Sequence, residues 1–432
     1  MPDRPVLQLA LDAMHLKRAL EIAKEAVEGG VDWIEAGTPL IKSEGMEAVR
    51  ALKRAFPDKV IVADMKVMDT GAFEVEMAAK AGADVVHVLG AADDGTIEEA
   101  VRAGKKYGAW VAVDLIGMDD RVERARQVAK MGVHHVCVHV GVDMQMRGLD
   151  PVTNVRDVAS AVDIPVAVAG GVNSETAAAV VKAGASIVIV GGAIYKAKDP
   201  ASAARAIKKA MLTRKAVRTE LHKKYTKSEF KVALLKVSSS NVSDAQHHVG
   251  TIRDLRPVVE RGVKMVGPAF TVRTMDGDWA KAVEAIDKAS PGDVLVIDVG
   301  GGQVAVWGEL ATNSAMVRGL AGVVIDGAAR DIQDIRELGF PVWARHFVPD
   351  AGEPKGLGEI GVEVIIGGQR VRMGDWIIGD ESGLVVIEQE RAQEIANRAL
   401  GVFENENRVR VEIRRGSTLS SQLELEKWER VG

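Results

Sequence analysis

An apolar stretch of the kind that fills a sheet, Val60-Ile61-Val62-Ala63, runs straight into charge: Asp64, Lys66 and Asp69, within VIVADMKVMDTG (60–71). Buried charge is costly unless it is paired or bound to an ion, so this stretch predicts a site. Asp64 and Lys66 are two apart and share one side of a strand. The same ending recurs along the first half of the chain. Apolar runs close on Asp12, Glu35, His87, Asp114 and His139, and then on two glycine pairs, Gly170-Gly171 and Gly191-Gly192. A structural reading explains any one of these; His87 alone reads as a satisfied polar residue. It does not easily explain all of them together. Glu35, Asp64 and, as a third candidate, Asp12 offer hard oxygen ligands that suit Mg²⁺ (or Mn²⁺) better than zinc, since no Cys/His ligand set is visible. A divalent ion beside an acid–base histidine, His139, points to enediolate chemistry, in which the metal stabilises charge on a substrate oxygen and the histidine moves a proton.

The elements that must position these residues are eight short β-rich runs alternating with Ala-rich helical stretches over residues 1–215. The runs are 6–12, 31–37, 60–66, 84–90, 110–117, 135–141, 164–171 and 186–195. Their near-continuous hydrophobicity predicts a parallel sheet covered on both faces. Repeats such as AKAGADVV (79–86) and VKAGASIV (181–188) set a glycine just past a helix and Ala-Asp or Ala-Ser before the next strand. Eight units in this length predict a closed (β/α)₈ TIM barrel, with a doubly wound open sheet as the alternative. In a barrel, chemistry collects at the C-terminal strand ends, and the loops after strands seven and eight often take phosphate through backbone N–H groups. That assigns phosphate to Gly170, Gly171, Gly191 and Gly192, with tight packing as the bland reading.

The full length of 432 residues predicts two domains. A net charge of −5, a pI of about 6.1 and a mean hydropathy of +0.03 argue against nucleic acid or an anionic membrane as general partners. The single cysteine, Cys137, excludes an internal disulfide and fits a reducing, cytoplasmic setting. MPDRPVLQLALD does not read as a signal peptide, and no apolar run approaches membrane-spanning length. Residues 213–230 are basic and read as a helical, solvated linker rather than a nucleic-acid patch. Residues 231–432 change rhythm to strands and turns, with Gly-Asp pairs at 292–293, 374–375 and 379–380. Here Arg330-Asp331 follows a buried run, with Asp334 beyond it and Glu309 upstream after a Gly-rich turn. Arginine offers a bidentate fork for a carboxylate and aspartate a metal ligand; a surface salt bridge beside a glycine turn explains the same residues equally well.

QLALD, IEAGTPLIKSEG, VADMKVMDTG, VLGAADD, VDLIG, HVGVDMQ, VAGGV and VGGAIYKAKDP resemble the 3-hexulose-6-phosphate synthase family of the orotidine-monophosphate-decarboxylase suprafamily, over residues 5–212. The resemblance implies a Mg²⁺-dependent lyase that joins formaldehyde to ribulose 5-phosphate, or splits hexulose 6-phosphate, in the ribulose monophosphate pathway or its reverse. It implies that Glu35 and Asp64 hold the metal and that Lys66 bonds the enediolate oxygens. Asp69 would reach into a partner's site across a dimer interface, His139 would act as acid–base, and Gly171, Gly191 and Gly192 would bind phosphate. Asp12 and Asp114 complete the candidate catalytic set. The alternative is the sister 3-keto-L-gulonate-6-phosphate decarboxylase activity. Those enzymes have an arginine three residues after the histidine and a glutamate at the end of strand five, where this chain has Val142 and Asp114.

VSDAQ, GPAFTV, PGDVLVIDVGG, WGELATNSA, GLAGVVIDGAARD and DWIIGDESGLVVI resemble the family of regulator of ribonuclease E activity A (RraA) and the 4-hydroxy-4-methyl-2-oxoglutarate aldolases, from about 230 to 420. The resemblance implies an α/β swivelling domain. In its aldolase branch Arg330 and Asp331 would bind a substrate carboxylate and a divalent metal, with Glu309 in the metal shell; in its other branch the domain would bind a ribonuclease. It also implies trimers, and with barrel dimers a hexamer, the stretch at 404–421 resembling the trimer-packing tail. No Gly-rich nucleotide loop supports a methyltransferase.

Overall fold

A computed structural model describes residues 4–141, 146, 151–219, 221–259, 261–423 and 425. The chain divides into two compact units, residues 1–224 with 404–432, and residues 225–403.

The first unit contains the expected closed barrel of eight parallel strands in sequence order: β1 (Val6–Leu11), β2 (Trp33–Ala36), β3 (Val60–Val67), β4 (Val85–Leu89), β5 (Trp110–Asp114), β6 (His135–His139), β7 (Val166–Ala169) and β8 (Ile187–Val190), with β8 pairing back to β1. Alternation sorts the side chains. Leu7, Leu9 and Leu11 of β1, with Ile34, Ile61 and Val188, face outward into a layer shared with the helices. Val6, Ala10, Val62, Val85, Ala112, Cys137, Ala167 and Ile189 face inward and fill the barrel's axis. The acids that precede strands have a local reason. Asp32 accepts the N–H of Leu7 at 2.8 Å and pairs with Lys208, while Asp84 accepts the N–H of Ile61 at 2.7 Å and pairs with Lys53 at 2.9 Å. Each satisfies a strand-end donor that the sheet leaves open.

Two expectations change. The segment after the barrel is not helical. The helix Pro200–Thr213 ends at Arg214, which is left-handed (φ 53°), and no helix covers 214–229 among the described residues. The backbone groups there bond instead to the loop that follows β7, as when the N–H of Val217 donates to Ser174 O at 2.9 Å. The tail at 404–421 also groups with the barrel rather than with residues 225–403. Buried Arg408 fastens it, donating to the carbonyls of Tyr195 and Ala197.

The second unit is built on a ten-stranded mixed sheet. Its parallel centre comprises Met265–Arg273, Val294–Asp298, Gly322–Ala329 and Val342–Phe347; Trp376–Asp380 and Gly383–Ile387 extend it antiparallel. Among the described residues no helix is long and apolar enough to cross a membrane.

Candidate active site

Strand parity carries the polar residues inward. Gln8, Glu35, Asp64, His87, Asp114, His135 and His139 have the same parity as the apolar side chains that fill the axis. Toward the C-terminal ends they form a connected set. Lys66 Nζ lies 2.9 Å from Asp64 Oδ2 and 3.2 Å from Asp114 Oδ2, bridging the ends of β3 and β5. Asp114 Oδ2 is also 2.8 Å from His139 Nδ1, and Asp114 Oδ1 accepts the N–H of Ile116 at 2.9 Å. Thr38 Oγ1 donates to Asp64 Oδ2 at 2.8 Å, and His87 Nδ1 stands 3.6 Å from Asp64 Oδ1. Glu35 Oε2 accepts from Gln8 Nε2 at 2.5 Å. Asp12 belongs to the same mouth: a Cβ at Gly37 would fall 2.3 Å from its Oδ1, so only glycine fits there. The local backbone is strained where the chemistry gathers. Lys66 has φ 49°, and the pairing of β3 with β4 shifts register between Ala63 and Val67.

Electrostatics separate the acids. Burial, reinforced by neighbouring Asp64, pushes Glu35 up to about 8. Burial and Asp64 likewise raise Asp12. Burial would raise Asp64 too, but the adjacent His87 and Lys66 outweigh it and hold the carboxyl below its usual range. At Asp114 the bond from His139 and the charge of Lys66 similarly overcome burial. Burial would lower Lys66, yet Asp64 and Asp114 keep its ammonium firmly protonated. Cys137 is buried and its thiol raised by that burial, so it is no nucleophile.

No group of three or more His, Cys, Asp or Glu side chains forms a cage among the described residues. Glu35 and Asp64 are both buried, Asp64 adds to the cost of ionising Glu35, and a cation held by the pair would relieve it. Two carboxylates with most positions left to water and substrate oxygens are how Mg²⁺ is commonly held, so the residues fit.

The candidates do not all converge. Asp69 is exposed and accepts the N–H of Thr70 at 2.7 Å, away from the set above. Gly170 and Gly171, both with positive φ, follow β7, and Gly191 and Gly192 follow β8. Val142 lies outside the described residues. Sequence reasoning missed Gln8 and Thr38. A glutamine inside the run VLQLAL was the available signal for the first; a threonine after a glycine is too common to flag the second.

In the second unit Arg330 and Asp331 line a cleft of about 310 Å³ with Trp279, Val283, Trp307 and Leu310. Arg330 Nε is 3.4 Å from Asp331 Oδ2, and that oxygen accepts the N–H of Glu309 at 3.1 Å. The Glu309 carboxylate itself is held by Asn313, and Asp334 is exposed.

Residues 5–207 match the profile of the Orotidine 5'-phosphate decarboxylase / HUMPS family, and residues 239–386 match RraA-like: Aldolase/RraA. A 3-hexulose-6-phosphate synthase of Mycobacterium gastri is 45% identical over 205 residues, 48% of this chain and 99% of that protein. One of Bacillus subtilis (strain 168) is 40% identical over 203 residues, covering 47% and 96%. A solved structure of 3-hexulose-6-phosphate synthase, 46% identical, covers 48% of this chain and 99% of its own at a TM-score of 0.46. These relatives are spanned almost whole by a barrel's length of this chain.

Proposed function

Since the chain belongs, through its barrel, to the 3-hexulose-6-phosphate synthase family of lyases, we propose that it interconverts ribulose 5-phosphate plus formaldehyde with hexulose 6-phosphate at the mouth of that barrel. The observation that carries this reading is Lys66 bridging Asp64 and Asp114 while Asp114 holds His139. Glu35 and Asp64 would hold Mg²⁺ or Mn²⁺, which when bound supplies Lewis-acid stabilisation of charge on substrate oxygens.

The remaining work falls to the chain's own groups. Asp114 accepts from Nδ1 of His139, which leaves Nε2 to exchange a proton with the sugar carbon next to the carbonyl. The protonated Lys66 donates hydrogen bonds to the oxygens on which negative charge grows as that proton leaves. The two carboxylates beside Lys66 keep it charged and in place. The carbon then bonds to formaldehyde, whose oxygen takes up a proton. Gly171, Gly191 and Gly192 present backbone N–H groups to the phosphate.

The test is formaldehyde release from hexulose 6-phosphate. EDTA should abolish it and Mg²⁺ or Mn²⁺ restore it. Full activity in the chelated protein would remove the metal role, and carbon dioxide release from 3-keto-L-gulonate 6-phosphate in its place would move the chain to the decarboxylase reaction. For the second unit, Arg330 and Asp331 side by side in an open cleft favour a 2-oxo acid held by its carboxylate, a second lyase site. Ribonuclease regulation is the competing role.

A further inference from the structure

Residues 217–219, 221 and 222 lie across the loops that follow β7 and β8. Besides the Val217 N–H bond to Ser174 O, Ser174 Oγ donates to Val217 O at 2.8 Å. The N–H of Thr219 donates to Glu175 Oε1 at 3.0 Å, and Asn173 Nδ2 donates to His222 O at 3.3 Å. The N–H of His222 donates to Glu404 Oε1 at 2.6 Å. These bonds hold His222 left-handed (φ 52°), a conformation that non-glycine residues enter only when their surroundings impose it.

The ring so placed faces Gly192. A Cβ at position 192 would lie 2.9 Å from His222 Cε1, 3.2 Å from Nδ1 and 3.6 Å from Nε2, so the nitrogen-bearing edge is turned to the glycine pair that ends β8. His222 Nδ1 is buried without a hydrogen-bond partner; the nearest carboxylate oxygen, Glu404 Oε2, is 4.0 Å away. Burial, with Lys224 and Lys196 nearby, lowers the imidazole to about 3, so the ring is neutral and carries one N–H to give. Buried polar atoms of this kind are normally satisfied, and one left open beside a backbone loop implies an absent partner.

We propose that His222 is a phosphate-binding residue of the barrel, donating a ring N–H to the substrate phosphate held by the loops after β7 and β8. The proposal rests on the phosphate role of Gly171, Gly191 and Gly192 proposed above. It adds a side chain from beyond the barrel, in a segment outside residues 5–207 that match the barrel family. Of the two lysines near the ring, Lys196 follows the same glycine pair. A phosphate dianion at that place would meet both the unsatisfied nitrogen and the positive charge.

The test uses the full chain. His222→Asn keeps the backbone, because asparagine accepts left-handed φ better than most residues, while its shorter side chain withdraws the donor. The expected result is a KM for ribulose 5-phosphate raised about tenfold or more, with kcat within about twofold, and inhibition by inorganic phosphate weakened by the same factor. Gly171→Val, which puts a β-branched residue at φ 73°, should weaken phosphate through the loop itself. If Gly171→Val weakens phosphate inhibition and His222→Asn leaves both KM and inhibition unchanged, the role of His222 is overturned and the loop stands. If phosphate fails to inhibit the wild type at all, the phosphate loop falls and His222 with it. His222→Gln, which retains a donor of greater reach, should recover part of the lost affinity.

Discussion

Asp64 shows how a buried carboxylate is kept charged: Thr38, Lys66 and His87 surround it, and together they outweigh the cost of burial. Asp64→Asn is nearly isosteric and keeps a hydrogen-bond acceptor for Thr38, but it removes the charge beside Lys66. Activity should fall on the order of 10²–10³-fold, with cooperative unfolding retained in thermal melts. Asp114 makes a different prediction. Its folded pKa is lowered from the ordinary 3.8, so the stability it contributes is fully present above that value and is lost only as pH falls through the lower folded one. Asp114→Asn leaves Lys66 and His139 short of a buried partner and should cost about 2–4 kcal/mol at pH 7. The gap between wild type and variant should stay constant across neutral pH and narrow only below about pH 4, which denaturant midpoints at several pH values would read. A gap that narrowed near pH 6 instead would assign the effect to a histidine.

At the scale of elements, the strand that ends in a cluster of groups recurs in both units. In the barrel eight such strands converge on one mouth. In the second unit, Gly322–Ala329 ends at Arg330 and Asp331, and Asp331 is left-handed (φ 56°) at the start of the helix Ile332–Leu338. Gly308 faces them so closely that a Cβ would lie 2.5 Å from Asp331 Oδ2. If this cleft is a lyase site, the full chain should decarboxylate oxaloacetate or cleave a pyruvate aldol with Mg²⁺. Arg330→Ala should then lower that rate at least roughly tenfold while formaldehyde release from hexulose 6-phosphate is unchanged. An inert wild type against a panel of 2-oxo acids would favour regulation or assembly. The strand-end acids of the barrel's other rim, Asp32 and Asp84, belong to stability rather than chemistry, since each is bonded to a strand N–H and a lysine.

For the whole molecule the open matter is assembly. Asp69 is exposed and apart from the other groups of the mouth, as a residue serving a neighbouring barrel would be. Barrel dimers combined with trimers of the second unit close simply as six copies with dihedral symmetry. Light scattering should therefore report six copies of the 46.1 kDa chain. A stable monomer would remove the shared site and the role of Asp69. The tail at 404–421 groups with the barrel, held there by Arg408. Arg408→Ala should accordingly lower barrel stability, seen as a reduced melting temperature, without changing the copy number.

Much of the site was legible in order along the chain, because the period of two in a strand is local: an acid at Asp64 and a lysine at Lys66 are set to share a side, and eight apolar runs separated by helices are enough to close a barrel. Helix endings and glycine pairs are likewise set by near neighbours. What only the tertiary structure decided are the pairings between distant positions. Gln8 meets Glu35, Thr38 meets Asp64 and Lys66 meets Asp114 only when the barrel is closed. The placement of His222 is further out of reach, since a basic segment reads as solvated until its backbone is seen bonded to Ser174, Asn173 and Glu404. Composition registers charge and period, but a polar group's partner is whatever folding brings within about 3 Å, and that depends on the whole chain at once.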